Sequence, residues 1–508
     1  MTIGATTGLG IHTPSLARVL AQTRDDLTDL QAQIASGRRA DSFGGLGSGR
    51  SLSLALREKL EMLDSFSSGA TLIGPRIALA ANALTQIQKL ASDTKGDADP
   101  ASYELLSGGK TAAQMSAGLR LSEALDALNV DVNGRYLFSG RDTGARPVEI
   151  ATLVMQGSGA RAGFAQVVDE RRQADLGANG LGRLDLAPAA AGAFTLAEDG
   201  VHPFGFKLAG AGSTLDGVTV TGPAGGPPPQ LDIAVTGEPA AGQTLRVEFA
   251  LPDGSSRSIT LTAVSGAAVS GAAAAPGAFA IGATPEETAE NLQAAMGAQV
   301  ARLADVALVP ASAVAASEDF FAIDDANPPR RVDGPPFDSA TGLVAGTPDD
   351  TVFWYRGEDG QESARQTATA RIDSSVAVSY GARANEEGIW RSVAGMAVMA
   401  SLTFSQADAN GAERYQELTG RVRSGLDATG ADGGLQAIQV DLASASRSVA
   451  AATTRHRETK ALLTEMQRGV EGVNTEEAAV ELLALQTRLQ ASYEVTAILS
   501  RLSLVNVI

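Results

Sequence analysis

The chain of 508 residues carries 58 acidic and 40 basic side chains, a formal charge of −18 at pH 7, with three histidines and no cysteine. This balance argues against a nucleic-acid partner, which needs a basic face for the phosphates, and it excludes disulfides, thiol catalysis and Cys-based zinc sites. Aromatics at 4% beside 56 glycines suit long Ala/Leu helices joined to a Gly-rich β region better than a compact enzyme.

The N-terminus lacks a basic segment followed by an apolar one, so no cleaved secretory signal is expected. After Thr13-Pro14, a suitable N-cap and first turn, Leu16, Leu20, Thr23, Leu27, Leu30 and Ile34 recur at steps of four and three. That spacing predicts one apolar stripe along a helix, stopped at Ser36-Gly37. A Gly-rich loop follows. Helical periodicity resumes with Leu56, Leu60, Leu63, Phe66, Ala70, Ile73, Ile77, Ala80, Leu84 and Ile87. Gly69, Gly74 and Pro75 weaken this helix and mark the place for a kink. A third helix carries Leu121, Leu125, Leu128 and Val132 and is expected to end at Asn133-Gly134.

Between about 145 and 370 the text changes character. Pro and Gly are dense in GPAGGPPPQ (222–230) and NPPRRVDGPPF (327–337), and strands replace helices. Thr244–Leu251 and Ser258–Ala263 flank Pro252-Asp253-Gly254 and predict a hairpin. Thr284-Pro285-Glu286-Glu287 caps one helix through Leu292, Met296 and Val300. Thr351–Arg356 predicts a last strand. This segment holds 27 acidic and 13 basic residues, a net of −14, so the rest of the chain carries only −4. Such acidity suits a solvated outer domain.

The C-terminal part is helical again. Leu435, Ile438, Leu442, Ala445, Val449, Ala452, His456, Thr459, Leu463, Met466 and Val470 alternate steps of three and four, a rod of about 50 Å expected to pack on the 56–87 helix. Asn474 with Glu477 is a capping box. After it Leu482, Leu485 and Leu489, then Val495, Ile498, Leu502 and Val505, predict a final stripe. Two heptad-like helices at opposite ends predict a coiled coil closed by the termini. No run of eighteen apolar residues predicts a membrane span.

The expected architecture is therefore multidomain α plus β, with long antiparallel or coiled-coil helices from both termini and a central β-rich insertion. Residues 1–45 with 472–508 form an inner terminal domain, 46–144 with 371–471 a helical rod, and 145–370 an outer region of one or two subdomains.

Chemical motifs are sparse. Gly44-Gly45-Leu46-Gly47-Ser48-Gly49-Arg50-Ser51 nearly spells a phosphate loop, but a helix precedes it where a buried strand belongs and Arg stands for Lys. Ser107-Gly108-Gly109-Lys110 matches S-x-x-K without its companion motifs. His456 sits alone on an apolar stripe, and no second ligand lies at metal-binding spacing. Asp324-Asp325 and Asp349-Asp350 lie in turns. Phe320-Phe321 and Phe353-Trp354-Tyr355 are aromatic clusters able to stack on sugars or to pack a core. No catalytic, metal or cofactor site is expected, and the chain is read as non-enzymatic.

Helical ends around a variable middle resemble the flagellin superfamily over roughly 1–144 and 371–508. Within it, Asn133-Gly134-Arg135-Tyr136-Leu137-Phe138-Ser139-Gly140 is similar to the NGRYxFSG signature of the hook-associated protein 3 family, and LQASYEVTAILSRLSLVNVI (489–508) is similar to that family's ending. The long middle insert departs from compact members. The resemblance implies a structural subunit of the hook–filament junction, self-assembled into a ring beside an adjacent hook-associated protein and flagellin. It also implies flagellar type III export to an extracellular location, with a chaperone on the C-terminal helix. A filament flagellin, or an axial scaffold whose insert is an adhesin or glycan-binding module, remains the alternative. An exposed stripe of Leu and Ile is an aggregation liability unless covered. The apolar side chains of one terminal helix bury too little to offset the entropy of ordering it alone. The termini are thus expected to order in the assembly.

Overall fold

A computed structural model describes residues 12–224, 228–265, 275–324, 326–358, 360, 362–431 and 434–505. It is about 54% helix and 17% strand, an α plus β protein. Two units are defined by their internal contacts: one from 1–72, 371–376 and 448–508, the other from 73–370 and 377–447. The divisions at 72/73 and 447/448 fall inside two long helices, 50–97 and 434–471.

The first unit is built from both chain ends. Helix α1, His12–Ser36, has Thr13-Pro14 inside its first turn and stops at Gly37, whose φ of 66° is the left-handed C-cap geometry. A 3-10 segment, Phe43–Gly49, leads straight into helix α2, Arg50–Asp97. The near-phosphate loop is thus a helix entry with no strand before it. Pro75 lies inside α2 and the helix continues through it, so the expected kink does not divide the element. The initial residues of α2 meet the end of a later helix, α10 (Gly434–Glu471), which is followed by α11 (Thr475–Val505). In this unit Phe66 stacks on His456 with ring centres 6.0 Å apart, and Asp64 pairs with Lys460. The α10 stripe is correct through His456 and at Leu463, but Thr459 and Met466 are exposed. Strict alternation of three and four is one choice among several on a 3.6-residue helix, and the buried line passes beside them.

In the second unit the rest of α2 lies along the rest of α10, where Gln439 Nε2 donates to Gln88 Oε1 at 3.0 Å. Ile73, Ile77, Ala80, Leu84 and Ile87 are buried, as are Leu435, Ile438, Leu442 and Ala445. Helix α3, Ala112–Leu128, opens on a complete capping box, with Thr111 accepting from Gln114 N and Gln114 returning the bond. It ends before the expected Asn133-Gly134. Those two residues instead turn a hairpin between β1 (Asp131–Val132) and β2 (Arg135–Tyr136). Both have positive φ, 56° and 74°, the backbone an Asn-Gly type I′ turn requires.

Short helices α4 (Ala151–Gln156) and α5 (Phe164–Leu176) lead into the β region. Strands β3 (Leu184–Leu186), β4 (Ala193–Glu198), β5 (Lys207–Ser213), β6 (Val218–Ala224), β7 (Gln230–Val235), β8 (Thr244–Ala250), β9 (Ser256–Ser265) and β10 (Ala278–Ile281) make two four-stranded sheets, ordered β3-β4-β7-β6 and β10-β9-β8-β5. The expected hairpin is β8–β9, paired Ala250 to Ser256. Alternation places Leu245, Val247 and Phe249 inward and Arg246 and Glu248 outward. Both sheets share one core with helix α6 (Pro285–Leu303), through Ala289, Leu292, Met296 and Val300. Thr284 caps α6 by accepting from Glu287 N at 3.2 Å. A π-helical segment, Ala304–Leu308, joins it to α7, Val309–Phe321. Pro310 has no N–H to continue the ordinary ladder, and a wider turn absorbs the gap. The continuous helical stretch 285–321 is apolar enough to cross a membrane, but 72% of its most apolar window is buried in this core. It reads as a core helix.

The expected strand Thr351–Arg356 is not one. Thr351 bridges Ala162 and Tyr355 bridges Val148, each singly. Val352, Trp354 and Tyr355 are buried, but the two single bridges go to different segments of the chain and make no ladder. Helices α8 (Glu387–Ser401) and α9 (Gly411–Ala431) complete the unit.

Candidate functional site

Helices α1 and α11 run antiparallel beside each other. At one end Val473 N donates to Gly37 O at 3.2 Å, and Arg39 N to Glu471 O at 2.7 Å. Further along, Arg24 Nε donates to Tyr493 OH at 2.7 Å, with its guanidinium 5.4 Å from the ring centre. Asn474 caps α11, its Oδ1 accepting from Glu476 N at 3.1 Å.

The facing stripes are Leu20, Thr23, Leu27, Leu30 and Ile34 on α1, and Ala478, Leu482, Leu485, Leu489, Ser492 and Thr496 on α11. Steps of four and three hold along both. Thr23 and Ala478 are buried; the leucines and Ile34 are only half-buried. No other described side chain of either helix is buried. Leu16, Leu502 and Val505 lie outside the residues whose side chains are described.

Val495 and Ile498 do not continue the Leu482–Leu489 stripe, which is a correction. From Leu489 to Val495 is six residues, a rotation that leaves the seam. Val480, Leu483, Val495 and Ile498 are 68%, 62%, 49% and 57% exposed. Helix α11 therefore has a second apolar side that nothing in its own chain covers among the described residues. Leu52, Leu54, Met62, Leu462 and Met466 add exposed apolar side chains to the same unit.

A polar clasp closes the root of this unit. Glu471 accepts from Ser53 Oγ at 2.6 Å, Arg57 Nε at 3.0 Å, Arg57 Nη2 at 2.8 Å and Gln467 Nε2 at 3.0 Å. The Arg57 hydrogen bonds, with those from Ser53 and Gln467, lower the Glu471 carboxyl to about 2. Sequence reading missed this clasp, because 414 residues separate its main partners and neither stands in a motif.

The signature segment 133–140 divides its work. Asn133 and Gly134 turn the hairpin, Arg135 is exposed, and Tyr136 is half-buried. Phe138 is fully buried and its carbonyl accepts from Ala384 N at 2.9 Å. Gly140 has φ 66°, and a Cβ there would lie 2.6 Å from Glu358 Oε2. The carboxylate end could swing aside, so it is the positive φ that favours glycine here.

The chemical candidates have structural uses. Lys110 donates to the Ala400 carbonyl at 2.7 Å, and burial lowers its pKa; Gly109 sits where a Cβ would be 2.3 Å from Phe404 O. His456 is buried against Phe66, with Asp373 3.7 Å from Nε2. Asp324 accepts from Ala326 N and Asn327 N in its own turn, Asp350 accepts from Thr347, and Asp325 lies outside the described residues. Among the described residues no group of three potential ligands could hold a metal ion. Phe320, Phe321 and Trp354 are fully buried with Phe164, and Trp354 Nε1 donates to Phe321 O at 3.0 Å. These rings form a core and are closed to sugars.

Residues 11–143, which hold α1, α2, α3 and the β1–β2 hairpin, match the bacterial flagellin N-terminal helical region. The match spans 133 of 508 residues. No curated protein matches the chain. The likeness is to the helical N-terminal region of bacterial flagellins and covers that part of the chain alone.

Proposed function

We propose that this chain is the junction subunit between the hook and the filament of a bacterial flagellum. Its terminal helices pair as a coiled coil, and neighbouring copies complete that pairing. One observation carries the assembly part of the reading: α11 spends one apolar side on α1 and leaves Val480, Leu483, Val495 and Ile498 in solvent. Apolar surface of that kind on a polymer-forming protein is the surface the polymer buries. The leucines of α1 and the half-buried leucines of α11 hold the pair, and the outer stripe holds the neighbour.

The finer placement rests on Asn133–Gly140 and the 489–508 ending, both similar to the hook-associated protein 3 family. On this reading the chain passes through the flagellar export channel with a chaperone on the α11 stripe, and then meets an adjacent hook-associated protein on one side and flagellin on the other. The test is a deletion strain together with antibody to residues 145–370. Hooks without filaments, flagellin in the medium and a single antibody band at the hook end support a junction subunit. Decoration along the full filament identifies a filament flagellin instead.

A further inference from the structure

A cavity of about 220 Å³ lies beside the signature hairpin in the second unit, lined among others by Arg76 on α2, Arg135 and Tyr136 on β2, Arg141, and Tyr380. Among the described residues no acidic side chain lines it. Arg141 is already neutralised by Glu358 at 2.9 Å and by Glu362. Arg76 and Arg135 have no carboxylate partner among the described residues, and Arg76 Nε is buried with no hydrogen-bond acceptor. A guanidinium N–H withdrawn from water without an acceptor is costly to leave unmade. Arg76 Nε is thus a buried donor without an acceptor, beside an exposed Arg135 with no carboxylate partner among the described residues, and two uncompensated guanidinium groups at a single cavity call for an anion.

We propose that this cavity receives a carboxylate side chain from a second copy of the chain. This rests on the assembly reading above. Charge complementarity selects the occupant: with 58 acidic against 40 basic residues, the surface of a neighbouring copy is rich in carboxylates and poor in their partners. A planar guanidinium fork takes a carboxylate through two parallel hydrogen bonds, and the Tyr136 and Tyr380 rings add amphipathic contact area typical of an interface anchor. The cavity is then a polar docking point on the second unit, separate from the apolar stripe of α11.

The test uses the full-length chain. In the double variant Arg76→Gln, Arg135→Gln the monomer should keep its circular dichroism and melting temperature, while the concentration needed for assembly rises about tenfold. In Arg135→Lys, carbodiimide treatment of assemblies mixed from light and heavy isotope-labelled protein should join the position-135 amine to an Asp- or Glu-containing peptide of the other copy. If wild type assembles, and the double variant assembles equally well with no such intermolecular link in Arg135→Lys, this inference falls and the assembly reading stands. If wild type does not assemble, both fall. If inorganic phosphate raises the melting temperature of wild type but not of the double variant, with assembly unchanged between them, the cavity takes a small anion and the contact between copies is overturned.

Discussion

Arg57 holds Glu471 through two parallel hydrogen bonds, Nε to Oε1 at 3.0 Å and Nη2 to Oε2 at 2.8 Å, so the beginning of α2 is tied to the last residue of α10. Ser53 and Gln467 complete the carboxylate's partners. The clasp sits where α10 hands over to α11, and it fixes the point from which the terminal helix departs.

Glu471 should make this unit acid-sensitive. Its folded value of about 2 lies below the ordinary 4.5, so its contribution is complete above pH 4.5 and disappears as the pH falls toward 2. Arg57 is 40% exposed, and screening limits the contribution to about 1–2 kcal/mol. Melting curves between pH 7 and pH 2.5 should show that loss in wild type and a flatter profile in Glu471→Gln. Identical profiles would remove the clasp from the argument.

The outer stripe of α11 should matter to the polymer and not to the monomer. Val495→Ser with Ile498→Ser alters only exposed positions, so monomer stability should change by less than about 0.5 kcal/mol. Sedimentable assembly should be lost, and removal of residues 473–508 should abolish it completely. Incorporation of the truncated chain into flagella would contradict the assembly reading.

Protection of α11 should depend on neighbours. Thr23 and Ala478 are the only described side chains buried in the terminal pair, too little to hold two helices of 25 and 31 residues tightly by themselves. Hydrogen exchange across 480–498 should be fast in the soluble chain and slow in the assembled one. Strong protection in the monomer would mean that the pair is self-sufficient.

Arg171 supports the outer β region from within. It bonds Asp175 at 3.1 Å and Asp319 at 2.8 Å, and all three are buried. Burial raises both carboxyls; deleting the arginine strands the fully buried Asp175 without a cation, while Asp319 keeps Arg330 at 2.7 Å. Arg171→Leu should cost about 3–5 kcal/mol at pH 7. A raised folded value means that stability falls as the pH rises through it, so the deficit should shrink at mildly acidic pH, where the stranded Asp175 carboxyl accepts a proton. Calorimetry at pH 7 and pH 5 checks both the size and the sign.

Local text was enough for several elements. The Thr284 cap, the Pro252-Asp253-Gly254 hairpin, the Gly37 stop and the Leu56–Ile87 stripe all appear where pattern and turn chemistry place them, because each depends on residues a few positions apart. Asn133-Gly134 was misread as a helix end, although the same pair is the strongest short hairpin signal. The Thr351–Arg356 segment has a strand's composition without a strand's neighbours. The clasp at Glu471 and the cavity at Arg76 were invisible, since their members are scattered through the chain.

Composition and periodicity by themselves determined that both ends are amphipathic helices around a β-rich, acidic middle, and that no catalytic constellation is spelled out. Tertiary structure decided which side of α11 meets α1. A helix bearing apolar residues on more than one side has several possible seams, and only the position of its partner selects Leu482, Leu485 and Leu489 for the pair while leaving Val495 and Ile498 to the outside.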